Sequence, residues 1–351
     1  MIKPTRASSA KKSVRAGPPP KKKRAKLLER NCSVARTINI VSDAWGFLII
    51  REAFFGARNF VAFRKALDIP RATLVNRLTK LSKQGIFRKK SVNGSPHQEY
   101  RLTKTGYDMY PSFMALMQFG DRWLQGKARK PLTLIHNACG CECRPTVACS
   151  ECLTELKARQ VIYRDGPGAG KEPAEVARVS RRASKDDRFL LGRPSSVSRA
   201  LQVIGDKWSF MVLREAFFGA RRYEQFQSAL SIAPNILANR LSRLVEKRVF
   251  ARRLYSSSPG RYEYVLTDMG LDLYGPCIAM LAWGDRWLAK GKLPLILTHG
   301  ICRKDFNPSV ICDQCRQPIH AAAMSYRLHY DPQKYHALTN DHLIGKPSQP
   351  S

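Results

Sequence analysis

The feature that most constrains the fold is a long internal repeat. The octapeptide Arg-Glu-Ala-Phe-Phe-Gly-Ala-Arg occurs at residues 51–58 and again, unchanged, at residues 214–221. A tryptophan before it and an Asn-Arg-Leu triplet after it keep the same spacing in both places. A period of 163 residues is far longer than the unit of a solenoid, so the chain contains two copies of a whole domain.

The net charge of the chain indicates which class of molecule it binds. Lys and Arg together number 61 against 27 Asp and Glu, which gives a formal net charge of +34. A surplus this large favours a polyanion, with nucleic acid ahead of an anionic membrane surface. We expect neither a transmembrane span nor a signal peptide, because no apolar run has the necessary length. A cytoplasmic protein whose ten cysteines are reduced is therefore expected.

The repeat and the changes in composition divide the chain into seven segments. Each copy consists of a domain followed by a stretch rich in His and Cys, and a linker containing Gly and Pro joins the copies. The first tail is too basic and too poor in apolar residues to fold alone. The predicted segments are a disordered tail at 1–30, a domain at 31–128, a His/Cys segment at 129–160, a linker at 161–194, a domain at 195–291, a His/Cys segment at 292–320 and a tail at 321–351.

The spacing of apolar residues predicts the same order of elements in both domains. In the first copy, three helices over 33–67 are followed by a break at 68–70 and a fourth helix at 71–84. Two strands with a polar turn between them come next, and a long closing helix ends near residue 124. The predicted fold class is therefore mainly α with small β-ribbons (α+β), in two tandem winged helix-turn-helix domains, each with a small C-terminal His/Cys segment that resembles a zinc knuckle.

In such a domain the helix after the turn enters the major groove of DNA. Its outward face and the neighbouring ribbon carry side chains that can bond base edges or phosphates. A polar surface helix with a charged hairpin that binds nothing is the alternative. The predicted DNA-binding residues are Arg71, Thr73, Asn76, Arg77, Lys80, Arg88, Lys89 and Lys90 in the first copy, and Asn235, Asn239, Arg240, Arg243, Arg252, Arg253 and Arg261 in the second.

Several spaced motifs resemble the HxlR-type transcriptional regulators, which are bacterial winged-helix proteins related to the MarR group. The motifs are Trp45 with Ile49–Glu52, Leu74–Leu78, Glu99–Thr103, Gly205–Trp208 and Tyr262–Thr267. The resemblance implies binding of double-stranded DNA as a dimer that pairs through its terminal helices. Each DNA-binding domain is called a head. One chain with two domains could form that dimer internally, or two chains could pair and present four heads.

The two heads are not identical. They differ at Arg71/Pro234, Ala72/Asn235, Thr73/Ile236 and Val75/Ala238. Because identical heads read a perfect palindrome, we expect these heads to read an imperfect palindrome with unequal half-sites. The predicted function is a sequence-specific regulator, most simply a repressor that occupies an operator at the nucleoid. A non-specific or architectural nucleic-acid-binding protein is the alternative.

His and Cys recur at the same spacing after both domains. The ligand candidates are His136, Cys139, Cys149 and Cys152 in the first copy, and His299, Cys302, Cys312 and Cys315 in the second. Two short pairs separated by a loop are typical of a structural zinc site, which predicts one closed site in each copy and two zinc ions per chain. Reduced, unrelated side chains or a redox disulfide pair are the alternatives. Cys141 and Cys143 occur only in the first copy and could compete as ligands.

Cys32 immediately precedes the first helix, where the pKa of a thiol can be lowered. In some members of the family that the chain resembles, a cysteine at this place senses electrophiles or oxidants, and an inert cysteine is the alternative. The second copy has Ser195 there, so a sensor would be single. We expect no enzymatic activity, because the sequence has no phosphate loop, zincin helix or nucleophile elbow. The sequence does not identify an effector. The aromatic residues Trp45, Trp208, Phe54 and Phe217 could line an effector pocket or belong to the hydrophobic core.

Overall fold

The computed structural model describes residues 28–41, 43–91, 98–126, 129–173, 192–257 and 260–336. Most of the predicted basic tail, the middle of the predicted linker and the last fifteen residues lie outside these ranges, so their predicted states stay predictions. In the part of the chain that is described, no helix combines the length and the apolar character that crossing a membrane requires.

The first copy folds in the order that its apolar spacing predicts. A short strand precedes four helices, a two-stranded ribbon, a one-turn helix and a long closing helix, and five strands follow. The elements are β1 Leu28–Arg30, α1 Ser33–Val41, α2 Ala44–Phe54, α3 Phe60–Leu67, α4 Arg71–Lys83, β2 Phe87–Ser91, β3 Gln98–Leu102, α5 Lys104–Tyr107, α6 Tyr110–Trp123, β4 Leu132–His136, β5 Glu142–Cys143, β6 Pro145–Cys149, β7 Val161–Asp165 and β8 Lys171–Pro173.

The second copy repeats this order. Its helices and strands are α7 Ser196–Ile204, α8 Lys207–Phe217, α9 Tyr223–Leu230, α10 Pro234–Glu246, β9 Phe250–Ser257, β10 Gly260–Leu266, α11 Asp268–Asp272, α12 Tyr274–Leu288, β11 Leu295–His299, β12 Pro308–Cys312 and β13 Met324–Leu328. The ribbons β2–β3 and β9–β10 are the wings of the two domains. The predicted fold class, with two tandem winged helix-turn-helix domains, is confirmed.

Local sequence explains why the helix before each recognition helix stops where it does. The turn between α3 and α4 passes through Asp68, whose φ of 46° lies in the left-handed region, and the equivalent Ser231 has a φ of 47°. A short polar residue tolerates this conformation better than a bulky apolar one does. The helix that follows buries Leu74, Leu78 and Leu81 at helical spacing. The turn and the apolar stripe together turn the opposite face of α4 towards solvent.

The segments after the two domains do not form separate units, because they exchange strands. β4 and β6 of the first copy pair with β13 and β12 of the second, and β7 of the first copy pairs with β11 of the second, all antiparallel. Three predicted boundaries are therefore wrong. The tail predicted as disordered at 1–30 ends in the strand β1. The range 161–194 is not a linker throughout, since it begins with β7 and includes β8, which pairs with β1. The range 321–351 likewise begins with ordered structure that includes β13.

The two copies also pack through their first and last helices. α1 lies against α12 of the other copy, α7 lies against α6, and the closing helices α6 and α12 contact each other. The rings of Phe47 and Phe210, which occupy equivalent positions, stack with their centroids 6.1 Å apart. Thr37 donates a hydrogen bond across the contact to the carbonyl of Met280, with an oxygen–oxygen distance of 3.0 Å. The chain therefore has one core to which both copies contribute.

Close approach of the helices depends on one glycine in each closing helix. A Cβ atom on Gly120 would lie 2.1 Å from the carbonyl oxygen of Ser196 in α7, and one on Gly284 would lie 2.5 Å from that of Ser33 in α1. Backbone cannot move aside as a flexible side chain does, so no larger residue fits without separating the helices.

Substitution Gly120→Ala should lower the free energy of unfolding by about 1–3 kcal/mol, because the new methyl group overpacks the α6–α7 contact. Urea denaturation measures the change. Gly275→Ala is the matched control, since its Cβ would meet only a side-chain methyl of Val147 at 3.3 Å. Equal stability of the two variants would contradict the close contact.

Candidate nucleic-acid interface and His/Cys clusters

The recognition helices expose polar side chains near their N-termini. Arg71 and Asn76 are exposed on α4, and Thr73 is half-buried. Asn235 and Asn239 are exposed on α10, where Asn239 is the counterpart of Asn76 and Asn235 that of Ala72. These five predicted residues therefore lie on or beside the outward faces of their helices. Arginine and asparagine side chains there have the donors and acceptors that base edges require.

Two arginines predicted to face outward instead hold the recognition helices to the rest of the domain. Arg240 is buried, and its Nε donates to a carboxylate oxygen of Asp206 at 2.8 Å. The prediction that Arg240 lies on the outward face of α10 is wrong. Its position on the helix lies beside the apolar stripe and not opposite to it, so the side chain can turn towards the protein. Arg77 is its counterpart and forms an ion pair with Asp43, although its side chain keeps 23% of its exposure.

Asp43 and Asp206 join these ion pairs to each other. Each aspartate caps the helix that follows it, Asp43 through the amide of Gly46 and Asp206 through that of Trp208. The two aspartates also meet in an isolated antiparallel bridge of their backbones. A continuous path of polar contacts thus runs from one recognition helix to the other. Sequence reasoning missed both aspartates, although in both copies an acid precedes its arginine by 34 residues.

The next basic residue on each recognition helix also turns back to protein. Lys80 donates from Nζ to the carbonyl of Asn39 at 2.6 Å, and Arg243 donates to the carbonyl of Gln202 at 2.9 Å. Both acceptors lie near the C-terminal ends of α1 and α7, where carbonyl groups carry partial negative charge. These side chains are half-buried, so their first role is to fix the helix.

The wings present the remaining predicted cations to solvent, namely Arg88, Lys89, Lys90, Arg252, Arg253 and Arg261. Two of them rest on tyrosines of the facing strand: Lys89 Nζ lies 5.9 Å from the ring centroid of Tyr100, and the Arg252 guanidinium lies 4.1 Å from that of Tyr262. Arg253 forms an ion pair with Glu263, which reduces its free charge. Attraction to the face of a tyrosine ring restrains the position of each of these two cations on the ribbon.

The His/Cys ligands group across the copies, which corrects the predicted pairing within each copy. One cluster combines His136 and Cys139 with two cysteines of the second copy, and the other combines His299 and Cys302 with two cysteines of the first. The first cluster is His136, Cys139, Cys312 and Cys315, and the second is Cys149, Cys152, His299 and Cys302. The exchange of strands brings these distant pairs together, whereas spacing along the chain is the same for either grouping.

The dimensions of both clusters fit a tetrahedral metal ion. All ligand atoms of a cluster lie within 4.8 Å of one another. His136 Nδ1 lies 3.1 Å from Cys315 Sγ and 3.5 Å from Cys139 Sγ, and the second cluster has matching distances of 3.2 and 3.5 Å from His299 Nδ1. Zinc bonds of ordinary length set neighbouring ligands about 3.5–3.8 Å apart. The residues therefore suit a structural Cys₃His site.

Two further thiols lie near the first cluster alone. Cys143 is buried and lies with Asp313 beside Cys312, whereas Cys141 is exposed and donates to the carbonyl of Cys139. Burial raises the pKa of Cys143 well above its usual range.

In the second cluster, a hydrogen bond from Thr154 lowers the pKa of Cys152 to about 6. A thiolate is the form of cysteine that binds metal.

Cys32 lies inside the protein rather than at its surface. Its side chain keeps 1% of its exposure and contacts Arg214 of the second copy. The surrounding cleft occupies about 400 Å³, including its open mouth, and is also lined by Cys277 and Phe217. Burial raises the pKa of Cys277 to about 12. Only a small reagent that enters this cleft can reach the Cys32 thiol.

Comparison with known proteins gives consistent matches to each copy. A family model described as HxlR-like helix-turn-helix matches residues 40–128 and 203–292. Rv3095 of Mycobacterium tuberculosis, an uncharacterised HTH-type transcriptional regulator, is 42% identical over 127 residues, which cover 36% of this chain and 80% of that protein. The regulator sll1512 of Synechocystis, also uncharacterised, is 34% identical over 34% of this chain and 88% of its own length.

Two solved structures are similar over about one copy. One, a candidate transcription factor from Pseudomonas aeruginosa, is 34% identical over 34% of this chain and 74% of its own, with a TM-score of 0.23. The other, a candidate transcription factor called PA1607, is 30% identical over 37% of this chain and 91% of its own, with a TM-score of 0.34. Because the family model matches both copies and together these matches span half of the sequence, the chain belongs to the HxlR-like helix-turn-helix family.

Proposed function

We propose that the chain is a sequence-specific, DNA-binding regulator of transcription in which one polypeptide supplies both reading heads. The observation that carries the proposal is the presence of two recognition helices with exposed polar faces on a single shared core. A dimeric winged-helix protein binds two half-sites through a fixed separation of its heads. Here the α6–α12 contact and the helices beside it take the place of a subunit interface, so the chain acts as its own pseudo-dimer.

The exposed residues divide between base and phosphate contacts. Arg71, Asn76, Asn235 and Asn239 are the candidates for base edges, with Thr73 beside them. The exposed cations of the wings suit phosphates, which position the protein without carrying sequence information. Arg77 and Arg240 act through the helices that they hold. This division favours specific binding over the non-specific alternative, in which charge alone would suffice.

Occupation of an operator near a promoter would make the protein a repressor located on the nucleoid. Because α4 begins with Arg-Ala-Thr and α10 with Pro-Asn-Ile, the two half-sites differ and the operator is an imperfect palindrome. Pairing of two chains into four heads is the second arrangement. It predicts two chains on each operator, whereas the pseudo-dimer predicts one.

We further propose that each cross-copy cluster binds a structural zinc ion, two per chain. A zinc ion with four protein ligands has no open position for catalysis, so its contribution is to fold and stability. Each ion would tie the two copies together at a point remote in sequence from the helical contacts. His136 and His299 are buried, so the metal would satisfy imidazole nitrogens that water does not reach.

We also propose that Cys32 senses an electrophile or oxidant. The thiol lies where α1 of the first copy meets α8 and α12 of the second. A bulky adduct there would push these helices apart and change the separation of the heads. Because Cys32 occurs in only one of the two copies, modification of one thiol per chain is enough to produce this change.

Base contacts are tested with Asn76→Ala and Asn239→Ala. Each should weaken binding to one half-site by about 1–3 kcal/mol. Asn76→Ala should leave the thermal stability unchanged, because that side chain is exposed. Asn239→Ala should also lower it slightly, because the Asn239 side-chain oxygen accepts a hydrogen bond from Nη1 of the buried Arg240 at 2.7 Å. Selection from random DNA, followed by titration at one stated salt concentration, measures this. Arg240→Met is the contrasting variant and should lower the melting temperature, because it leaves Asp206 without its ion pair.

Recovery of a perfect inverted repeat from the selection would contradict the unequal heads. Binding of random DNA as tightly as selected DNA at moderate salt would instead support the architectural alternative.

Zinc ligation across the copies is tested with two variants that each lack four ligands. The variant without His136, Cys139, Cys312 and Cys315 should keep one zinc ion per chain, because the second cluster is intact. The variant without His136, Cys139, Cys149 and Cys152 should keep none, because each cluster retains only two ligands. Elemental analysis after gel filtration counts the ions, and ligation within each copy predicts the reverse result.

For Cys32, the substitution Cys32→Ser should abolish the release of DNA that a quinone or diamide causes in the parent protein. Cys277→Ser is the matched control, since that thiol lines the same cleft. Electrophoretic mobility shifts with and without the reagent measure release. Unchanged release from the Cys32→Ser protein would refute sensing at this residue.

A further inference from the structure

The first His/Cys cluster has a second set of metal-binding atoms beside it. The sulfurs of Cys143 and Cys312 and a carboxylate oxygen of Asp313 all lie within 4.8 Å of one another. Among the described residues, this set and the first cluster share only the Cys312 sulfur. A thiolate sulfur has several lone pairs, so Cys312 can bind an ion in the cluster and a neighbouring ion at the same time.

The two donors outside the cluster are enclosed by protein. Cys143 keeps 5% of its exposure, and the side chain of Asp313 keeps 16%. The backbone N–H of Asp313 is directed at the Cys143 sulfur. In the second cluster the amide of Glu151 is placed in the same way, with its nitrogen 3.4 Å from the sulfur of Cys149. Such N–H groups favour the thiolate, which is the form of cysteine that binds metal.

Hydrogen bonds hold the Asp313 carboxylate in place and still leave it room for an ion. The amide of Arg144 donates to Oδ1 at 2.8 Å. The Arg144 Nε and the side-chain amide of Gln314 donate to Oδ2 at 3.3 and 2.9 Å. Carboxylates that bind metal are usually oriented by hydrogen bonds of this kind. Oδ1 keeps a lone pair that an ion can use.

The equivalent place in the second copy has the same backbone arrangement without the donors. The counterpart of Cys143 is Phe306, which is buried, and the counterpart of Asp313 is Ser150. The amide of Asn307 donates to the hydroxyl of Ser150 at 3.2 Å, as the equivalent amide of the first copy donates to the carboxylate. Only the first copy therefore has the side chains for a further ion.

We propose that Cys143, Cys312 and Asp313 bind an additional divalent ion that prefers sulfur, such as Zn²⁺ or Cd²⁺, beside the ion of the first cluster. The inference rests on the proposed zinc ligation, because Cys312 bridges the two ions. Two sulfur donors favour these ions over Mg²⁺ and Ca²⁺, which take oxygen ligands.

The additional ion is exchangeable, whereas the ions of the two clusters are not. It has three protein donors and an open coordination position, while each cluster closes its ion with four. One of the three donors is shared with the neighbouring ion, which weakens its bond to either. The additional ion is therefore lost on gel filtration, and the two structural ions remain.

The ion would also attach a weakly held strand. Cys143 lies in β5, which has two residues and forms the edge of the sheet β13–β4–β5. Cys312 ends β12, which pairs with β6 in another sheet. Binding therefore links these two sheets and adds a connection between the first copy and the second.

The number of zinc ions bound at equilibrium and the number that survives gel filtration test the proposal. Equilibrium dialysis of the full chain against free Zn²⁺ should give three ions per chain, and elemental analysis after gel filtration should give two. Two ions in both measurements would overturn the additional site and leave the proposed clusters standing. Fewer than two after gel filtration would refute the clusters and, with them, the bridge.

The two copies supply the matched variants. Cys143→Phe introduces the residue of the second copy and should reduce the count at equilibrium to two, with no change after gel filtration. The double variant Phe306→Cys with Ser150→Asp builds the donors beside the second cluster and should raise the count at equilibrium to four. Circular dichroism establishes that each variant is folded. A third ion that persists in the Cys143→Phe protein is adventitious and refutes the assignment, and so does a double variant that gains no ion.

Cobalt(II) tests whether the two ions share a sulfur. Unpaired electrons of two Co²⁺ ions couple through a bridging thiolate, so filling the additional site should weaken the electron paramagnetic resonance signal of cobalt in the first cluster. Cobalt in the second cluster has no such neighbour and is the internal reference. A signal that instead grows in proportion to the third ion would refute the bridge through Cys312.

Discussion

The close contact of each first helix with the closing helix of the other copy is the interaction on which the rest of the structure depends. Gly120 and Gly284 permit it, since any side chain there would meet backbone. The contact places the start of α7 against the first copy and the start of α1 against the second. The exchanged strands, the mixed His/Cys clusters and the cleft beside Cys32 all form around this arrangement, and none of them is confined to one copy.

The recognition helices are joined through the same region. Asp43 and Asp206 cap α2 and α8, pair through their backbones, and hold Arg77 and Arg240 of the recognition helices. Side chains that sequence patterning assigns to DNA thus set the orientation of the helix that meets it. A fixed angle between the heads matters because half-sites on a duplex recur only at the helical repeat.

Much of the fold and part of the site could be predicted from the sequence. The repeat, the apolar spacing of Leu74, Leu78 and Leu81, and the polar turn were enough for two winged helix-turn-helix domains. The grouping of His136 with Cys315 was not predictable, because identical spacing in both copies fits either pairing and only tertiary contacts decide. Arg240 was misplaced because it borders the apolar stripe, where a long side chain can turn towards either protein or solvent.

The exchange of strands has a consequence for how the protein is made. The partner of β4 is β13, which lies close to the end of the described residues. The first His/Cys cluster likewise needs Cys312 and Cys315 of the second copy. On the ribosome the N-terminal half therefore emerges with an uncovered sheet edge and half of a ligand set. The first copy is completed only after Cys315 and β13 have been synthesised, so a truncation that removes them damages both copies and not the second alone.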